Sequence, residues 1–193
     1  MESKIKTFED LIEYNLKFLN GEIKETFYHC GPVDEETIPL LDNLKKINRF
    51  GFLSINGQPG LLEYDIYSDY VSNYVDTEQK SWIEGYMIFG LNSIKLELFL
   101  SKNPDIYYNC CVYPLGTYNT NLPSEYYNIT REREKGEKWN EYTNIPNEYI
   151  EIDTDYDNIN KILLETHNFN ITFKEFGPQN SVEKLLIDFF GTL

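Results

Sequence analysis

The sequence predicts an α+β fold in a single domain, residues 1–193: a mixed β-sheet of five or six strands, with two N-terminal helices and one C-terminal helix packed on it. Three observations carry this. A length of 193 residues suits one domain. Hydrophobic residues make up 41% of the chain, 16 Tyr and 12 Phe among them, which is ample for a core and excludes global disorder. The hydrophobic period also changes along the chain, from helical spacing at the start to strand-like alternation in the middle.

Thr7 and Asp10 form a capping-box pattern, and Phe8, Leu11, Ile12, Leu16 and Leu19 follow at helical spacing, so Phe8–Asn20 reads as an amphipathic helix stopped by Gly21. Gly31-Pro32 breaks the chain. Glu35, Glu36 and Thr37 open a second helix, which starts near Thr37 because Pro39 is tolerated only in a first turn. Gly51–Ile55 reads as a strand ended by the turn dipeptide Asn56-Gly57. Leu62–Tyr67 and Ser81–Phe89 are further strands. Leu91–Ser101 fits either period, with alternation favouring a strand slightly. Asp105–Tyr113 is a buried strand. Segment 115–147 is irregular and loop-rich, and its charged run Arg131–Lys138 reads as a solvated face. Tyr149–Ile152 is a strand, Asp155–His167 a helix and Phe169–Phe176 a strand, an order that suggests a crossover unit. Asn180 with Glu183 caps a last helix through Phe190.

The formal charge of −15, with only three arginines (Arg49, Arg131, Arg133), argues against generic nucleic-acid binding and against anionic membranes. No apolar run is long enough to span a bilayer, and the N-terminus has no signal-peptide core. Three cysteines without metal spacing suit a reducing, cytoplasmic setting, so the sequons at Asn128 and Asn170 carry no weight. With no ligand set spaced for a metal, the reading contains no metal and no cofactor.

Four residues are candidates for ligand binding. His29 stands beside Cys30, although adjacent side chains on an extended chain point apart, which weakens a nucleophile–base pair. Gln58, in Gly57-Gln58-Pro59-Gly60, offers both a donor and an acceptor where a strand ends; the same residues also make a plain turn. Glu84 interrupts an apolar strand, on the face of Trp82 and Tyr86, where burial would raise its pKa; a structural ion pair with Lys80 or Arg49 is the other reading. Gln79 is the fourth, and with Gln58 and Glu84 it is expected to converge on one site. Between Leu61 and Gln79 lie five acids and no base, interleaved with Tyr64, Tyr67, Tyr70 and Tyr74, a candidate partner-binding face or simply a Tyr-rich edge.

Phe8-Glu9-Asp10-Leu11, Gly31-Pro32, Asp34–Glu36, Leu40-Leu41, Ile47-Asn48-Arg49-Phe50-Gly51-Phe52, Gln58-Pro59-Gly60, Gln79 and Glu84-Gly85-Tyr86 together resemble an uncharacterised domain family of actinobacteria and giant viruses of amoebae. The resemblance covers residues 7–90. The chain departs from it at Asn56-Gly57, where a hydroxyl residue is expected before the Gln-Pro-Gly. The resemblance implies a helix over Leu91–Ser101, and the alanine-free, Asn- and Tyr-rich composition is similar to that of a giant virus. It implies no activity. Missing classical catalytic motifs and a shortage of His, Cys and Arg make the expectation a non-enzymatic binding protein of the (host) cytoplasm, acting on a protein or small-molecule partner. Two alternatives stand beside it: an enzyme or ligand-sequestering domain built around Gln58, Gln79 and Glu84, and an acidic inhibitor that mimics nucleic acid.

Overall fold

The computed structural model describes residues 5–68, 73–122, 130–142, 156–177 and 181–193. Among them the elements run α1 (Phe8–Leu19), α2 (Leu41–Arg49), β1 (Leu53–Gln58), β2 (Leu61–Ser68), β3 (Asn73–Gln79), β4 (Trp82–Ile88), α3 (Leu91–Lys102), β5 (Ile106–Val112), β6 (Thr117–Thr120), β7 (Thr130–Glu134), β8 (Asn140–Tyr142), α4 (Asp157–Leu163), β9 (Thr166–Phe173) and α5 (Val182–Phe190). The class is α+β. A five-stranded sheet has the order β1-β4-β9-β5-β6, and a second sheet has the order β2-β3-β7-β8. Every described strand pairing is antiparallel, including both neighbours of β9, so the sheets are not mixed in direction there. The strand expected at Tyr149–Ile152 lies outside the described residues.

The helix-facing side of the main sheet is apolar. Phe52, Ile83, Met87, Ile106, Phe169 and Ile171 pack beneath Leu44 and Ile47 of α2, Leu96 and Leu100 of α3, and Leu186 and Phe189 of α5. A second cluster joins Phe8 and Leu11 of α1 to Leu53, Tyr86 and, from α4, Ile159 and Leu163. Gly85 is a packing requirement: a Cβ there would stand 2.3 Å from the Phe52 ring and 2.5 Å from the Leu53 carbonyl oxygen. Between helices and sheet, Asn15 Nδ2 donates to Asn48 Oδ1 and to the Ser54 carbonyl, while Asn48 Nδ2 donates to the Leu44 carbonyl and to Ser54 Oγ. Tyr28 adds its hydroxyl to Asn15 Oδ1, completing a buried polar network whose amides are satisfied.

Several expectations need correction. Asn56-Gly57 is not a turn; β1 runs through it to Gln58, with a bulge between Ser54 and Asn56. Gly57 is there for close approach, because a Cβ would lie 2.8 Å from the Trp82 carbonyl oxygen. The reversal is left to Pro59-Gly60. The second helix starts as a 3-10 turn at Glu35–Leu40 and becomes α-helical only at Leu41, after Pro39. The charged run is half strand. Alternation puts Arg131 and Arg133 of β7 opposite Glu78 and Asp76 of β3. Arg131 Nε donates to Glu78 Oε2 at 2.7 Å and Arg133 Nε to Asp76 Oδ2 at 3.0 Å, with the Trp139 ring beside both guanidinium groups. Leu91–Lys102 is a helix, but its buried stripe is Ser93, Leu96 and Leu100, leaving Leu91, Ile94 and Leu98 exposed. Thr166 and His167 begin β9 rather than end a helix. Ser181 caps α5; Asn180 lies outside the described residues.

Candidate functional site

The chain between α1 and α2 folds back on itself through an isolated bridge, Glu25 to Cys30. Thr26 Oγ1 accepts from the Tyr28 and His29 amides, fixing the tight loop that carries both rings. His29 Nε2 lies 3.0 Å from the Pro32 carbonyl, where it donates, and its ring leans on Phe18 at 5.3 Å. This loop, the end of α1, the 3-10 turn and β1 enclose a cavity of about 160 Å³. Its lining includes the apolar Phe18, Leu40, Leu44 and Ile55, the polar His29, Asn56 and Gln58, and three acids, Asp34, Glu36 and Glu183. No Lys or Arg is among the lining residues. The volume is well under the 300–1,000 Å³ typical of drug-sized ligands.

Glu183, in the first turn of α5, is fully buried. Its Oε2 accepts from Ser181 Oγ at 2.7 Å, and its Oε1 has no hydrogen-bond partner. Burial pushes its pKa up from the ordinary glutamate range. The sequence offered it only as a capping residue, and its place beside β1 depends on α5 packing against α2.

The four predicted ligand-binding residues are divided. His29 and Gln58 border the cavity; Gln79 and Glu84 are not among its lining residues. Gln58 Nε2 donates to the Lys80 carbonyl at 3.4 Å and Gln79 Nε2 to the Pro59 carbonyl at 3.0 Å, so both amides clasp the backbone around the β1–β2 turn. Glu84 is opposite Asn56 in the ladder, and Gln58 is opposite Trp82, two positions along. Glu84 is 5% exposed, and burial raises its carboxyl to about 7, partly offset by a hydrogen bond from Asn168. In register across β4, β9 and β5 stand Glu84, Asn170 and Asn109, each with a buried side-chain oxygen that has no partner.

On the β2–β3 hairpin, Tyr64, Tyr67 and Tyr74 are 60%, 56% and 58% exposed, and Tyr67 and Tyr74 meet edge to face at 5.6 Å. Tyr70 lies outside the described residues. Asp76 and Glu78 of the same hairpin are held by arginines, as described above. On the helix side of the sheet, Cys110 and His167 are buried beneath Glu97; burial lowers the histidine to about 4 and raises the thiol to about 12, so both are neutral near pH 7.

The fold and cavity define an α+β protein with a small, acidic, partly apolar pocket. Residues 3–85 match a domain of unknown function, DUF6919. No curated protein matches the chain. Every residue lining the cavity except Glu183 falls within the matched segment. The segment also supplies β1 and most of β4, whereas β9, α3 and α5 come from beyond it. Among the described residues, no helix is long and apolar enough to cross a membrane.

Proposed function

We propose that this protein is a non-enzymatic binder of a small, positively charged organic molecule, an amine with a short apolar body, held in the cavity beside β1. One observation carries the reading: Glu183, whose buried Oε1 has no hydrogen-bond partner, is among the residues lining a cavity that has three acids and no Lys or Arg. An ammonium group would satisfy that oxygen and draw Glu183 into its ionised form. The apolar lining would take the carbon chain, and Gln58 and His29 would orient the polar end. Because binding takes a proton from Glu183, affinity rises with pH through that group's elevated pKa.

The test is a thermal-shift titration with ethylamine, propylamine and putrescine, beside neutral alcohols of matched size. Amines are expected to raise the melting temperature, increasingly as pH is raised, and Glu183→Gln should abolish the response. Equal stabilisation by the neutral alcohols, or a response retained in Glu183→Gln, would overturn the proposal.

A second reading, an enzyme using Glu84 as general acid or base, is favoured by a buried carboxyl raised to about 7. A third surface, the exposed tyrosines of the β2–β3 hairpin, suits a protein partner. We also place the protein in the host cytoplasm of a giant-virus infection. The alanine-free composition, the resemblance of residues 7–90 and three cysteines that are free thiols support this origin and compartment.

A further inference from the structure

The packing of α3 on the main sheet brings together three side chains far apart in sequence. Glu97 comes from α3, Cys110 from β5 and His167 from β9. Their ligating atoms all lie within 4.8 Å of one another. His167 Nε2 is 3.3 Å from Glu97 Oε2, already the separation of about 3.3–3.7 Å that two ligands have on a tetrahedral zinc ion, given bonds of about 2.0–2.3 Å. The Cys110 sulfur lies within 4.8 Å of both.

Burial leaves the histidine of this cluster with room for a stronger partner than it has. His167 is 0% exposed, and neither ring nitrogen makes a hydrogen bond. Buried imidazoles almost always have at least one partner. The ring is held in place by stacking on Phe169, 4.2 Å between centroids. Glu97 is aimed by Asn119, whose Nδ2 donates to Oε1 at 2.7 Å, leaving Oε2 turned toward the histidine. A hydrogen bond of this kind, fixing a carboxylate from behind, is characteristic of metal ligands. Glu97 is also the partly exposed member, with its side chain 22% exposed, which gives an ion a route from solvent.

We propose that Glu97, Cys110 and His167 bind one Zn²⁺ ion, with a fourth position left for water or a small ligand. The mixed sulfur, nitrogen and oxygen set selects a borderline ion such as zinc over calcium or magnesium. Charge balances: Cys110 releases its proton to solvent on binding, the resulting thiolate and the Glu97 carboxylate together carry two negative charges, and His167 binds neutral. None of the three residues borders the cavity beside β1, so this site stands or falls apart from the amine reading.

The experiment uses the full chain, dialysed against EDTA and then titrated with Zn²⁺ and, as a spectroscopic probe, Co²⁺. One equivalent of metal is expected to bind and to raise the melting temperature. The cobalt form should show a thiolate-to-metal charge-transfer band with the strong visible bands of a tetrahedral site. That band should vanish in Cys110→Ser and persist in Cys30→Ser and Cys111→Ser. If Cys110→Ser does not fold, Asn119→Ala, an exposed change, decides: zinc affinity should fall about tenfold or more. No thermal response to zinc, a thiolate band that follows Cys30, or unchanged affinity in Asn119→Ala would overturn the site.

Discussion

Burying Glu84 as an acid makes stability depend on pH in a particular direction. Its carboxyl is raised from the ordinary 4.5 to about 7, with burial as the main cause. Between those values the folded chain holds a proton that the unfolded chain has already lost. The contribution to stability is therefore complete below about pH 4.5, declines as pH rises, and is gone above about pH 7. An interval of about 2.5 pH units at about 1.4 kcal/mol each comes to about 3.5 kcal/mol. Glu84→Gln keeps the shape and removes the titration. The assay is urea unfolding followed by tryptophan fluorescence, comparing wild type with Glu84→Gln at pH 5 and pH 8. At 1–3 kcal/mol per molar urea, the wild-type midpoint should fall relative to the variant by about 1 M or more between the two pH values. Glu183, raised in the same direction, titrates in both proteins and cancels in the comparison. A wild-type-minus-variant difference that does not change with pH would refute the reasoning. So would a variant less stable than wild type at pH 8, since that would reveal an ionised and partnered Glu84.

Three further outcomes follow from the packing and the charge. Gly85→Ala drives a methyl group into the Phe52 ring and the Leu53 carbonyl, and should lower unfolding free energy by about 1–3 kcal/mol in the same urea assay. Asn48→Ala leaves the Asn15 amide and Ser54 hydroxyl short of a partner inside the protein, and should cost about 1–3 kcal/mol, with Asn48→Asp failing to restore the donor. With a formal charge of −15, the protein should give no gel shift with generic duplex DNA at physiological salt; a shift that weakens as salt is added would contradict this.

What could be read from the sequence was local. The Thr7–Asp10 capping box and the spacing of Phe8, Leu11 and Leu19 define α1 without help from the rest of the chain, and α1 forms as read. Asn56-Gly57 misled because turn propensity is weak beside a ladder: pairing with Glu84 and Ile83 keeps both residues extended. The charged run misled for a related reason. Alternating Arg and Glu suits solvent, but it also suits a strand whose arginines face the acids of β3. In Leu91–Lys102 alternation favoured a strand slightly and only the resemblance implied the helix; its buried stripe stayed hidden because Leu91, Ile94 and Leu98 keep helical spacing yet face outward. The cavity was only half visible. His29 and Gln58 stand out as polar residues at breaks, but Glu183 reaches them through a helix–helix contact that no local pattern encodes. Glu97, Cys110 and His167 were invisible for the same reason.

The strand order of the main sheet has a consequence during synthesis. β4 is paired on one side by β1, its near neighbour in sequence, and on the other by β9. When β4 leaves the ribosome, its second edge stays bare until residues 166–173 emerge, nearly 80 residues later. At 5–20 residues per second that is a wait of about 4–16 s, during which Ile83 and Met87 lack their β9 neighbours and the α5 side chains that cover them. An unpaired strand edge beside uncovered apolar residues is a template for pairing with another chain. The nascent N-terminal segment is thus the aggregation-prone stage of this protein's life, and slower elongation after β4 would lengthen its exposure.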